Sequence, residues 1–476
     1  PTDLAHWPHV HRPWLRGGRP FQGGLASSTV MNSPATLATD RLAGAPQREL
    51  SRLSGEVYLD YTGAALYPAV LLEQHFETLR DGLFGNPHST HPASVSSTRC
   101  AQEARAALLE FLDADPDEYD VVWTTNASGA IQLVAESFPF GPDTRFVLTA
   151  DNHNAVNGVR EFARARGAPV TYLPLEADLR VSPFDLSPVR QGLFAYPAQS
   201  NFSGVQHPLE WVERAQARGY RVLLDAAAFV PTHPLSLRTF SPDFVTLSLY
   251  KICGYPTGVG ALVGKREALS ALTRPAFSGG TVEFVSVLAD RSLLKSGSAG
   301  FEHGTGNFLA WSAVPPGLQW IRCLDRGAVQ AHVAALTARA LQGLLGIRHD
   351  HGMPAVRIHG PTETHARGGA IAFNVLDATD TVIDFEHVVD AAAAQGICLR
   401  GGCFCNPGAA ERAFNYGADE LAKALDAVRH NFSMPAMRAA LNHKPVGAVR
   451  VSVGYGSQAS DIDTLLAFLR TFIHNR

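Results

Sequence analysis

DVVWTT (120–125), SGAIQLVAESF (128–138), RFVLTA (145–150) and NAVNGVREFARARG (154–167) open a stretch in which short apolar runs alternate with helical ones. VTYLPL (170–175), GLFAYP (192–197), PLEWVERAQARG (208–219), YRVLLDAAAF (220–229) and DFVTLSL (243–249) continue it. Near-continuous apolar runs of this length suit strands buried on both faces, and the helices between them make right-handed crossovers. The expected architecture is therefore α/β, with a mainly parallel sheet covered by helices. Ligands in such folds gather at the carboxyl ends of the strands. Those ends carry Asn126 to Gly129, Asn152 and His153, Gln199 to Gly204, Asp225, and Ser248 to Lys251, so polar groups converge on one rim.

Beyond this stretch the alternation weakens. A long helical region runs from about Asn307 to Leu345, followed by GAIAFNVL, the helix DFEHVVDAAAAQG, a cysteine-bearing loop, the strand AVRVSVG and the helix DIDTLLAFLRTFI. This reads as a smaller carboxyl-terminal α/β domain over 326–476, after a large domain over 51–325 whose first segment, 51–75, contributes to the small domain. Residues 1–50 show neither helical nor strand period and read as an irregular extension, with a transit peptide as the alternative. A chain of 476 residues with 46% hydrophobic content has ample core for two domains, and a formal charge of -4 excludes broad attraction to nucleic acid or anionic lipid. Six unevenly spaced cysteines do not form a secreted disulfide framework, and no stretch reaches the length of a membrane helix. A cytoplasmic protein is expected.

Common nucleotide motifs fail. The run GYPTGVGALVGKR has Val259 where a Walker loop needs its first glycine, and Val263 where a dinucleotide fingerprint needs its third. Lys251, just after a buried strand, is better explained as an amine whose lone pair is freed by apolar surroundings, as imine formation requires. Alone it would more simply mark a solvated strand end, but it has company. Asp225 can hold a pyridine nitrogen protonated, His153 can stack on a ring or carry a proton, and Ser128 with Gly129 opens a helix whose free N–H groups suit a phosphate.

Taken in order, these residues resemble the class V aminotransferase group of pyridoxal phosphate enzymes, particularly cysteine desulfurases. YLDYTGAALYP, GNPHS, SLYKICGYPTGVGAL, FEHGTGNF and RGGCFCNPGA are most similar to the aminotransferase-like domain of molybdenum cofactor sulfurases. The resemblance implies pyridoxal phosphate fold type I, whose large domain has a mainly parallel seven-stranded sheet, with Lys251 as the imine-forming lysine, Asp225 on the pyridinium nitrogen and His153 over the ring. It also implies Asn201 near the ring oxygen, Ala127, Ser128 and Ser248 at the phosphate, and Thr305 reaching the phosphate of a second subunit in a homodimer. Arg450, with Arg400, is implied at the substrate carboxylate. Tyr250 and Ala228 depart from the desulfurase pattern, which has His and Gln there, and Ala410 replaces a cysteine frequent in the sulfurases.

The loop LRGGCFCNPGAA offers two thiols, and the resemblance, through the family's separation of arginine and nucleophile, implies Cys405, five positions after Arg400, as nucleophile with Cys403 a neighbour. The expected reaction converts L-cysteine to L-alanine, leaves a persulfide on Cys405, and passes the sulfur to an acceptor protein or small molecule. The alternatives are a C-S lyase in which Cys405 is incidental, and a silent scaffold or zinc module. The latter is disfavoured because CxC lacks the usual zinc spacing.

Overall fold

The computed structural model describes residues 49–50 and 55–473. The irregular extension expected over 1–50 thus lies almost wholly outside the described residues. After the short strand β1 (Val57–Tyr58), the large domain is built on β2 (Tyr119–Thr124), β3 (Arg145–Thr149), β4 (Val170–Leu173), β5 (Gly192–Pro197), β6 (Tyr220–Asp225), β7 (Phe244–Ser248) and β8 (Gly260–Lys265). They form one seven-stranded sheet in the order β2-β8-β7-β6-β5-β3-β4. Every pairing from β7 to β4 is parallel. The exception is β8, antiparallel to both β7 and β2, because the connection from β7 is too short for a crossover and returns the chain beside itself.

Alternation within the strands feeds two cores. Val222 and Leu224 pack on one face with Val212 and Ala215 of the helix Trp211–Gln216. Leu223 points to the other face, among Ala130, Ile131 and Val134 of the helix Ala127–Ser137. Each such side chain fully buried contributes about 1.5–3 kcal/mol.

A hairpin of β9 (Val282–Ser286) and β10 (Arg291–Leu294) projects from the large domain, an element without a signal in the alternating pattern. The expected long helical region is three helices, Phe308–Trp311, Val314–Cys323 and Arg326–Leu345. Pro315 and Pro316 open the second, where their missing N–H groups cost nothing. Asp325, at φ 60°, caps the third by accepting from Gly327 and Ala328 N.

The carboxyl-terminal sheet has the order β11 (Val356–His359), β12 (Ala370–Leu376), β16 (Ala448–Ser452), β15 (Arg400–Gly402), with β13 (Val382–Ile383) also on β12. All its pairings are antiparallel. The segment near the start of the described chain is stitched to it: β1 pairs in parallel with β14 (Ile397–Cys398), and Asp60 bridges to Ser452. Among the described residues no helix is long and apolar enough to cross a membrane.

Candidate active site

The strand ends enclose a cavity of about 140 Å³ lined by Ala127, Ser128, His153, Asn201, Asp225, Ser248 and Lys251, together with Gln199, Ala228 and Tyr250. Its floor is the first turn of the helix Ala127–Ser137. Asn126 caps that helix by accepting from Gly129 N at 2.9 Å, and the Ser248 hydroxyl accepts from Ala127 N at 2.9 Å, which ties the helix start to the end of β7. Gly260 makes this approach feasible, since a Cβ there would stand 2.3 Å from the Asn126 Cα.

Lys251 sits on the single turn Leu249–Cys253 that follows β7. Burial pushes its amine below the ordinary lysine value; Asp225 opposes this, while Arg450 and Arg400 reinforce it. Asp225, at the end of β6, is buried, and its Oδ1 accepts from Ala227 N at 3.0 Å. His153 caps the short helix Asn154–Asn157, its Nδ1 accepting from Ala155 N at 3.1 Å, so Nε2 carries the proton of the neutral ring. Burial lowers its pKa, Asp225 works the other way, and Lys251 lowers it further.

The cysteine loop reaches this rim. Asn406 N donates to Cys403 O at 3.0 Å across a tight turn whose central residues, Phe404 and Cys405, have φ of 55° and 57°. Two successive non-glycine residues in the left-handed region cost of order 1–2 kcal/mol each, and their surroundings must hold them there. Those surroundings are visible: Asn201 Nδ2 donates to Phe404 O at 2.6 Å, and Asn154 N donates to Cys405 O at 2.7 Å. The buried Asn406 donates to Asp151 Oδ1 at 2.6 Å and to Asn201 Oδ1 at 3.0 Å, and Asp151 also meets Ser200 Oγ at 2.8 Å and His207 Nε2 at 2.9 Å. Cys405 is exposed, whereas Cys403 packs against the apolar cluster that holds Phe202 and Phe414.

Arg450 and Arg400 lie side by side, paired across β16 and β15. Arg450 Nη1 donates to Asn201 O at 2.8 Å and Nη2 to Asp60 Oδ1 at 2.9 Å, and the guanidinium lies 4.8 Å from the Phe404 ring centre. Both terminal nitrogens of the Arg450 guanidinium are thus already engaged within the chain. Asn201 likewise lines the cavity, but both ends of its amide hold the cysteine loop. Thr305 does not enter this cavity; it lines a neighbouring one of about 600 Å³ with Trp123, His303 and Trp311, and accepts from Asn86 Nδ2 at 3.3 Å. Sequence reasoning assigned no part to Asp60, Asp151 or Asn406, and placed Gln199 only among the polar groups of the strand-end rim. Asp60 and Asn406 stood inside the quoted motifs YLDYTGAALYP and RGGCFCNPGA, which was their only signal.

Fold and site together define a pyridoxal phosphate-type α/β enzyme. The family description "Aminotransferase class-V" matches residues 57–465, and the chain belongs to that family. Among curated relatives, the molybdenum cofactor sulfurase of Homo sapiens is 34% identical over 451 residues, covering 89% of this chain and 50% of that protein. That of Anopheles gambiae is 35% identical over 449 residues, covering 89% and 57%. The chain spans about half the length of the curated relatives it matches. An apo cysteine desulfurase from Thermococcus onnurineus NA1 shares the fold with a TM-score of 0.72 at 21% identity, covering 94% of this chain and 100% of that one. The cystine C-S lyase C-DES does so at 0.67 and 19%, covering 89% and 99%.

Pyridoxal 5'-phosphate is the cofactor of this family. The residues present fit it. An amine with lowered pKa, a buried strand-end carboxylate, a half-buried imidazole and a helix start with hydroxyls line one cavity. Among the described residues no group of three or more His, Cys, Asp or Glu is placed to hold a metal ion.

Proposed function

We propose that the protein is a cysteine desulfurase-like enzyme that takes sulfur from L-cysteine, leaves L-alanine, and carries the sulfur on Cys405. The observation that carries this reading is the position of Cys405, exposed on a strained turn whose carbonyl is held by the N–H next to His153, at the rim of the Lys251 cavity. When bound, the cofactor supplies an electron sink that labilises the substrate's Cα–H bond. Lys251 and Asp225 hold its ring end, His153 covers it, and Ala127, Ser128 and Ser248 take the phosphate. Arg450 and Arg400 take the substrate carboxylate. Lys251 Nζ, its basicity lowered by burial, moves the α-proton. The Cys405 thiolate attacks the substrate sulfur: an S–S bond forms, the Cβ–S bond breaks, and its electron pair stays on Cβ, which gains a proton and becomes the methyl of alanine. A protein or small molecule then accepts the sulfur. The two curated relatives named above are molybdenum cofactor sulfurases, which supports transfer as the purpose of the persulfide.

Purified protein supplied with cofactor and L-cysteine is expected to yield alanine and protein-bound sulfane sulfur. Pyruvate and free sulfide in equal amounts, without bound sulfur, would replace this reading with a C-S lyase.

A further inference from the structure

Asp60 occupies a position that its sequence gives no reason to notice. Its Oδ1 accepts from Arg450 Nη2 at 2.9 Å, and Arg400 grips it from the other side, Nε at 3.1 and 2.9 Å from Oδ1 and Oδ2 and Nη2 at 2.6 Å from Oδ2. The register of β15 and β16 sets Arg400 directly opposite Arg450, a juxtaposition of like charges that is unfavourable without a counter-ion. The chain also keeps room for this arrangement. A Cβ on Gly63 would stand 2.4 Å from Asp60 Oδ2 and 2.7 Å from Arg400 Nη2.

The group is not saturated. The Nε of Arg450 is buried and has no partner among the described residues, and about half of the Arg400 side chain is exposed. It also adjoins the cavity, through Arg450 Nη1 on the backbone of Asn201 and through the charges of both arginines and Asp60 acting on Lys251.

We propose that Asp60 is a positioning and selectivity residue of the substrate seat: it fixes both guanidinium groups and leaves the pair one net positive charge, matched to an amino acid with a single carboxylate. The proposal rests on the reading of Arg450 and Arg400 as that seat. A dicarboxylic amino acid brings a second negative charge that Asp60 already supplies, and is rejected.

The test is calorimetric titration of the holoenzyme with L-alanine and with L-aspartate, which reads binding without turnover. The parent is expected to prefer alanine, and Asp60→Asn to shrink that preference about tenfold, the size expected for one uncompensated charge in a partly buried site. The double variant Asp60→Asn with Arg400→Gln restores a single net charge and is expected to restore the preference, an outcome that a purely structural role for Asp60 would not produce. If Asp60→Asn does not fold, Arg400→Gln alone carries the test, with alanine binding expected to weaken about tenfold. An unchanged alanine-to-aspartate ratio in Asp60→Asn, a double variant that restores nothing, or unaltered alanine binding in Arg400→Gln would overturn the proposal. A parent that binds neither amino acid would overturn the seat itself. Failure to convert cysteine to alanine would instead remove the proposed reaction and leave the binding ratio standing as the measure of Asp60.

Discussion

Cys403 and Cys405 are two positions apart, yet Cys405 is exposed while Cys403 is half-buried against the cluster that holds Phe202 and Phe414. Cys405→Ser should therefore keep the bound cofactor, which depends on Lys251 and Asp225, but lose alanine formation by more than about a hundredfold. Cys403→Ser should stay within about threefold, a packing change at a half-buried site. Product assays on the two variants check this, and a dead Cys403→Ser would reverse the choice of nucleophile. At this scale Lys251, Asp225 and His153 were legible, because strand ends advertise polar residues against apolar runs. Asp60 was not. Its partners are 340 and 390 residues away in sequence, and no local pattern encodes so distant an ion pair.

Among the elements, the cysteine loop is held to the large domain by Asn201 and Asn154 on its backbone and by the side chain of Asn406. Asn406 spans Asp151 and Asn201, and the helix it caps packs so closely on the end of β3 that a Cβ on Gly408 would stand 2.2 Å from Ala150 O. Asn406→Ala strips a donor from the buried Asp151 and should cost about 1–3 kcal/mol of stability. It should also slow alanine formation more than it weakens cofactor binding, since it loosens the turn and not the cavity. Denaturant melts and a cofactor titration on the same variant separate the two effects. The strands of the parallel series were legible because buried strands are apolar throughout. The antiparallel return of β8 and the β9–β10 hairpin were not, since neither periodicity nor composition encodes strand direction, and an exposed hairpin has no core-facing alternation to read. The long helical region expected over 307–345 is interrupted ahead of the Pro315-Pro316 helix start and again at the cap Asp325, where local capping chemistry overrides periodicity.

For the molecule as a whole, acid sensitivity follows from the wall behind the cavity. His233, buried, accepts from Gln206 Nε2 at 2.8 Å, and Gln206 in turn donates to Gln199 at 3.1 Å. Burial, aided by Arg326, pushes His233 down from 6.5 to about 4. Between those values the unfolded chain binds a proton that the folded chain refuses, so stability should fall as pH drops from about 6.5 to about 4, by about 3 kcal/mol in total from this group. Melts across that range should show the slope, and His233→Gln should flatten it. Thr305 stands outside the cavity of its own chain, and Val287 at the hairpin tip is 92% exposed. We expect a two-fold dimer in which Thr305 completes the partner's phosphate site. Sedimentation of the holoenzyme checks it, and a fully active monomer would contradict it. The central claim, that sulfur leaves cysteine by transfer to Cys405, is tested most directly by a single turnover followed by peptide mass analysis. The account predicts one added sulfur atom on the peptide residue Cys405, with alanine formed in equal amount. Sulfur found on Cys403, or an unmodified loop accompanied by pyruvate, would contradict it.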